Sequence, residues 1–198
     1  MKRRALLLDR DGTICEDVGY IGEVEDLRLL PGSAEAIVSA SAAGFQCVLI
    51  TNQAGIARGV LDEARLDEVH DRLRELLAAE GARLDGIYYC PHHPEGEVAR
   101  YRSRCDCRKP GSGMLRRARD EMGIDLESSY FVGDHLRDIE AGHAVGATTV
   151  LVLTGHGRDQ FDGTDSGRPR PDHVTEDLRA AVGWILDRED GGGSGTDS

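Results

Sequence analysis

Two carboxylates one residue apart, Asp9 and Asp11, follow directly on a short apolar run in the stretch LLLDRDGTICED, residues 6–17. An unbroken apolar run suits a strand covered on both faces. Gly12 then ends it, because glycine accepts the backbone angles of a tight turn. The acids therefore stand at the carboxyl end of a strand, where open α/β sheets gather their ligands. A D-x-D-G stretch alone is equally compatible with an acidic surface turn, so the other strand ends must decide. Three more of them carry reactive groups. VLITNQAGIARG (48–59) brings Thr51, Asn52 and Gln53; CRKPGSG (107–113) brings Arg108 and Lys109 ahead of a helix; FVGDHLRD (131–138) brings Asp134 and Asp138. Carboxylates from separate strands repel one another unless a cation neutralises them. A hydroxyl and an ammonium beside them suit phosphate oxygens. These are the parts for magnesium-assisted phosphoryl transfer through a carboxylate nucleophile. Asp138 is expected on the helix surface or in a supporting position, not as a metal ligand. Arg10 points away from its neighbours if the strand alternates, and is given no catalytic role.

A second cluster lies in YYCPHHPEGEVARYRSRCDCRKP, residues 88–110. Cys90, His92 or His93, Cys105 and Cys107 form a C-x-H followed by a C-x-C, which fits a closed tetrahedral Cys₃His zinc site. The alternative is a loop with free thiols. Five cysteines are an odd number for a disulfide framework, and clustered cysteines in a cytosolic chain more often bind metal. Cys47 falls inside a strand and reads as core. Cys15 has no partner ligand near it in sequence.

The elements that must position these groups alternate. Apolar strands are expected at 5–9, 46–51, 85–90, 129–134, 148–153 and 172–175. Helices are expected at 33–43, from Asp62 to Gly81, and at 112–122, 136–144 and 176–187. Asp62 is a natural N-cap, and Leu66, Val69, Leu73, Leu76 and Leu77 form an apolar stripe at helical spacing. Alternation of this kind gives βαβ units and a central parallel sheet, an α/β fold. Residues 91–111 form a long loop that needs a reason to be ordered. The stretch 155–171 lacks apolar periodicity and is expected as a mobile surface loop. A single domain is expected over 1–188, with a disordered, linker-like tail at 189–198.

The chain of 198 residues suits one domain with a sizeable core. Its net charge of −12 argues against nucleic acid as a partner. The same charge is compatible with a bound divalent cation and with a small phosphorylated ligand. The apolar run after the basic start is too short for a signal peptide, and no stretch approaches a membrane span of about 20 apolar residues. A cytoplasmic monomer is expected.

The ordered set DRDGT, TNQ, RKP and GDxxxD resembles the four motifs of the haloacid dehalogenase (HAD) superfamily, in its phosphatase branch, over roughly residues 5–155. The resemblance implies a Rossmann-like three-layer sandwich. It implies Asp9 as a nucleophile forming an aspartyl-phosphate, and Asp11 as the group that protonates the leaving alkoxide and then deprotonates water. It implies Mg²⁺ held by Asp9, the backbone carbonyl of Asp11 and Asp134, with Thr51 and Lys109 gripping the phosphoryl group. The loop at 91–111 resembles the zinc loop of the histidinol-phosphate and heptose-bisphosphate phosphatases in that superfamily, which implies His92 as the fourth ligand and a structural zinc. TNQAGIARG (51–59) resembles the TNQSGIARG region of the D-glycero-D-manno-heptose 1,7-bisphosphate 7-phosphatase family, with Ala54 in place of serine. Histidinol-phosphate phosphatases continue differently after TNQ. That likeness implies sugar or remaining-phosphate contacts from Asn52, Gln53 and Arg108, with Arg58 assisting, and release of the C7 phosphate. No insert is large enough for a separate cap domain. The competing readings are a histidinol-phosphate phosphatase, a phosphotransferase and a non-catalytic zinc-bearing interaction domain. A binding module has no need to retain Asp9, Asp11, Lys109 and Asp134 together.

Overall fold

Leu6 and Leu8 on one side, and Ala5 and Leu7 on the other, are all buried, so the first strand is covered on both faces, as a central parallel strand must be. In the computed structural model, which describes residues 3–19, 24–161 and 169–191, this strand is β1 (Ala5–Leu8). It is followed by β2 (Gln46–Asn52), β3 (Gly86–Cys90), β4 (Tyr130–Gly133), β5 (Thr148–Val152) and β6 (His173–Thr175). They form one sheet in the order β3-β2-β1-β4-β5-β6, with every neighbouring pair parallel. Leu6 pairs with Cys47 on one side and Tyr130 on the other. This is the doubly wound Rossmann-type order, and it reverses between β1 and β4. The crevice at that switch point opens where the motif acids sit.

The helices are α1 (Ser33–Ala42), α2 (Ala54–Ala57), α3 (Glu63–Ala79), α4 (Gly113–Met122), α5 (Leu136–His143), α6 (Gly157–Gln160) and α7 (Leu178–Gly191). Helices α1, α3 and α7 bury their apolar stripes against Leu6, Leu8, Leu49 and Val132. Helices α4 and α5 cover the opposite face against Leu7, Val48, Ile50 and Phe131. The result is three layers, helix–sheet–helix, because each strand's alternating side chains need cover on both sides. Asp62 caps α3, its carboxylate accepting the backbone N–H of Arg65 at 2.8 Å.

Two expectations change. Helix α7 runs to Gly191, past the boundary expected at 188. The stretch expected as a mobile loop from 155 contains α6 and is packed at its start, Gly157 being buried; its residues 162–168 lie outside the described set, as do 192–198 of the tail and 20–23 between β1 and α1. Among the described residues no helix is long and apolar enough to cross a membrane.

Candidate active site

Strand β1 stops at Leu8, and the chain turns through Gly12, whose φ is +75°. A Cβ on Gly12 would stand 2.1 Å from Asp134 Oδ2, so only glycine allows the first and fourth strand ends to close on each other. Asp9, at the mouth of this turn, is buried. Its Oδ1 accepts the backbone N–H of Arg10 at 2.8 Å and pairs with Lys109 Nζ at 2.8 Å. Both donors take Oδ1, which leaves Oδ2 as the oxygen available for chemistry.

Lys109 comes from the loop before α4 and is 2% exposed. Besides Asp9 it reaches Asp138 Oδ1 at 2.7 Å and donates to the Ile50 carbonyl at 2.7 Å. Three acceptors match the three hydrogens of an ammonium. Burial works against its charge, but Asp138 and Asp9 outweigh burial and raise its pKa. The Lys109–Pro110 peptide is cis. Asn52 holds the Lys109 backbone from both sides: Lys109 N–H donates to Asn52 Oδ1 at 3.0 Å, and Asn52 Nδ2 donates to the Lys109 carbonyl at 3.1 Å.

Asp134 directly follows β4, and its Oδ2 accepts the backbone N–H of His156 at 2.8 Å. Burial, then the nearby Asp9, pushes its carboxyl up to about 8. Asp138 is fully buried, not on the helix surface as one of its expected placements had it. It caps α5 by accepting the His135 N–H at 3.1 Å while His135 Nδ1 accepts the Arg137 N–H at 3.2 Å. Burial raises the Asp138 carboxyl to about 6, against the pull of Lys109. Oxygens of Asp9, Asp134 and Asp138 lie within 4.8 Å of one another. One ammonium among three buried carboxylates leaves net negative charge, and an all-oxygen set of this kind fits a hard divalent cation such as Mg²⁺.

A cavity of about 340 Å³ opens above these groups, lined by Asp9, Asp11, Asp134, Asn52, Gln53 and Arg108, with Asp17, Arg137 and His156 at its wall. Arg108 Nη1 donates to the His92 carbonyl at 3.2 Å, which ties the cavity edge to the cysteine loop. Arg58 is exposed and outside the lining. Thr51 is buried, and its Oγ1 accepts from Gln53 Nε2 at 2.9 Å.

Arg10 is the largest departure from the sequence reading. It is 1% exposed, and its guanidinium folds back to grip Asp11 side-on. Strand alternation does not reach Arg10, because β1 ends at Leu8 and the turn redirects the side chain. Asp17 and His156 were also missed. They pair at 3.0 Å and tie the flap after β1 to the loop after β5, whose Thr154 hydroxyl donates to the Gly12 carbonyl at 2.6 Å. The small, turn-forming TGHG at 154–157 was the available signal.

The cysteine loop brings Cys90, His92, Cys105 and Cys107 together, with ligand atoms within 4.8 Å of one another. Cys107 Sγ lies 3.1 Å from Cys90 Sγ, 3.0 Å from Cys105 Sγ and 3.4 Å from His92 Nδ1. Four donors at the corners of a small tetrahedron fit a zinc ion. His93 lies outside this set, its Nδ1 accepting the Glu95 N–H at 3.1 Å. All five cysteines are free, with Cys15 and Cys47 buried elsewhere.

A HAD-hydrolase-like family profile matches residues 106–181. Over 183 residues the chain is 47% identical to the D-glycero-beta-D-manno-heptose-1,7-bisphosphate 7-phosphatase of Escherichia coli, an alignment covering 92% of this chain and 87% of that one. It is 43% identical over 189 residues to the D-glycero-D-manno-heptose-1,7-bisphosphate 7-phosphatase of Thermosynechococcus vestitus, covering 93% and 96%. Among solved structures, the D,D-heptose 1,7-bisphosphate phosphatase from B. bronchiseptica, complexed with magnesium and phosphate, is similar at a TM-score of 0.83. Its identity is 36%, over 93% of this chain and 99% of that one.

Proposed function

The chain belongs to the D-glycero-D-manno-heptose-1,7-bisphosphate 7-phosphatase family of HAD-like hydrolases, and we propose that it is a magnesium-dependent phosphatase releasing the C7 phosphate of D-glycero-D-manno-heptose 1,7-bisphosphate. The observation that carries the chemistry is the pinning of Asp9 Oδ1 by Lys109 and the Arg10 N–H, which aims one carboxylate oxygen into a cavity edged by cations. Asp9 Oδ2 attacks phosphorus, and the bond from phosphorus to the C7 oxygen breaks. That oxygen takes the proton carried by Asp11, and heptose 1-phosphate departs. Asp11 then takes a proton from water, whose oxygen attacks the aspartyl-phosphate. The bond between Asp9 and phosphorus breaks, and inorganic phosphate leaves with both carboxyl groups restored. Thr51 offers its hydroxyl to the phosphoryl oxygens, and Lys109, its three hydrogens taken by Asp9, Asp138 and the Ile50 carbonyl, offsets their charge without gripping them. Bound Mg²⁺, on Asp9, Asp134 and the Asp11 carbonyl, supplies the charge that lets an anionic nucleophile approach an anionic ester.

The C7 phosphate sits on a primary carbon and reaches Asp9 more easily than the C1 phosphate does. The C1 phosphate would then lie toward Arg108 and Arg137, both on the cavity lining, where guanidinium forks suit it. Remote binding energy of that kind places the reacting end. All the groups come from one chain, so a monomer suffices for the chemistry. The clustered free thiols fit a reducing cytoplasm. Cys90, His92, Cys105 and Cys107 hold a structural zinc that orders the loop carrying Arg108 and Lys109 to the cavity.

Phosphorus NMR of the product tests the assignment. Heptose 1-phosphate is expected. Heptose 7-phosphate as product, or a clear preference for histidinol phosphate, would overturn the substrate.

A further inference from the structure

The Asp11 carboxylate does not stand free beside Asp9. Its Oδ1 accepts from Arg10 Nε at 2.9 Å, and its Oδ2 accepts from Arg10 Nη2 at 3.0 Å and from Gln53 Nε2 at 3.2 Å. The same Nη2 donates to Gln53 Oε1 at 3.1 Å, and the same Nε2 donates to Thr51 Oγ1 at 2.9 Å. One guanidinium and one carboxamide thus close a ring that joins Asp11, after β1, to the end of β2. Arg10 is 1% exposed and Gln53 is buried. Neither cation nor amide is free to follow a substrate.

A carboxylate has about four lone-pair sites. Three are filled here, two on Oδ2 and one on Oδ1, so the remaining site belongs to Oδ1. A planar fork holding both oxygens fixes the rotation of the carboxyl group as well as its position. A lone ammonium, as a point charge, fixes position only. The geometry points to Arg10 and Gln53 as positioning residues for proton transfer: they hold the Asp11 carboxyl group in one orientation, present Oδ1 to the leaving oxygen and then to water, and keep it in register with Thr51. Gln53 therefore serves the chemical step and is not a contact to the sugar. This rests on the reading of Asp11 as proton carrier. Held groups of this kind act through orientation, and a displacement of about 1 Å costs on the order of a hundredfold in rate.

The test compares Arg10→Lys and Gln53→Ala, alone and in an Asp11→Asn background. One substrate is heptose 1,7-bisphosphate. The other is p-nitrophenyl phosphate, whose leaving group needs no proton and whose first turnover is read as a nitrophenolate burst. Each single variant is expected to lower kcat on the bisphosphate by roughly ten- to a hundredfold with KM changed by less than about threefold. The loss in the nitrophenyl burst should be much smaller. In the Asp11→Asn background neither change should cost anything further, because their effect passes through Asp11. A raised KM with intact kcat for Gln53→Ala would make it a substrate contact and overturn the proposal. Equal losses on both substrates, or full additivity with Asp11→Asn, would overturn it as well. Gln53→Ala removes no charge, so it carries the test even if Arg10→Lys fails to fold. Full bisphosphate activity of Asp11→Asn alone would instead overturn the proton-carrier reading.

Discussion

Lys109 holds the charge balance of the site at the scale of single residues. Its ammonium is shared among Asp9, Asp138 and the Ile50 carbonyl, all inside the protein. Removing it strands two buried carboxylates. Breaking a buried ion pair from one side costs about 3–5 kcal/mol, so Lys109→Met is expected to lose that much stability in urea unfolding of the metal-free protein, as well as its activity. Asp9→Asn keeps the size of the side chain and removes the charge of the proposed nucleophile. Turnover should fall by several orders of magnitude with the fold intact. Appreciable phosphate release by Asp9→Asn in the presence of Mg²⁺ would show that no aspartyl-phosphate is formed. Motif acids of this kind were legible in sequence because their types and spacing are local. The partners of Arg10, Gln53 and Asn52 were not, because a side chain's partner depends on which other strand ends beside it.

At the scale of elements, the cysteine loop and the capped helix α3 make separable claims. The four cluster donors come from β3 and from the loop ahead of α4, and Arg108 is tied to the His92 carbonyl between them. Cys105→Ser should therefore release metal and open the 91–111 segment to proteolysis. Activity should fall with it, through loss of the Arg108 and Lys109 placement. The protein as purified should carry about one zinc per chain; a chain without zinc and with three freely titratable thiols in this loop would refute the structural metal. Helix α3 is anchored by the Asp62 cap. Asp62→Ala should cost about 1 kcal/mol of stability and leave turnover unchanged, since neither Asp62 nor any residue of α3 lines the cavity.

For the molecule as a whole, His70 links the core to the response to pH. It lies on α3 and is 3% exposed. Burial, then the charges of Arg10 and Arg74, pushes its imidazole down to about 3. The unfolded chain binds that proton near pH 6.5, and the folded chain resists it until about pH 3. Stability therefore falls as pH drops through this window, by up to about 1.4 kcal/mol per pH unit, and above pH 7 this group adds no dependence. Urea unfolding between pH 7 and 5 should show the decline, and His70→Leu should flatten it. An unchanged slope in the variant would assign the decline to other groups.

The strands and the five longer helices, but not α2 or α6, followed from apolar periodicity, which is a local property of the chain, and three of the motif ends followed from the strands, with Arg108 and Lys109 placed by the loop ahead of α4. The cluster of Cys90, Cys105 and Cys107 with a histidine followed from residue type and spacing, and the loop's path places His92, not His93, among the four donors. Tertiary structure alone decided the rest. The order β3-β2-β1-β4-β5-β6 sets Asp134 beside Asp9 and lets Lys109 reach Asp138, a contact that spans the loop before α4 and the start of α5. The end of β1 at Leu8 turns Arg10 inward, where alternation had pointed it away. The TGHG turn after β5 closes on Asp134 because both neighbouring turns lack a Cβ there, at Gly12 and at Gly155. Periodicity reports how each segment is covered, but which side chains meet depends on strand order and on where each strand stops, and those are settled by packing across the whole sheet.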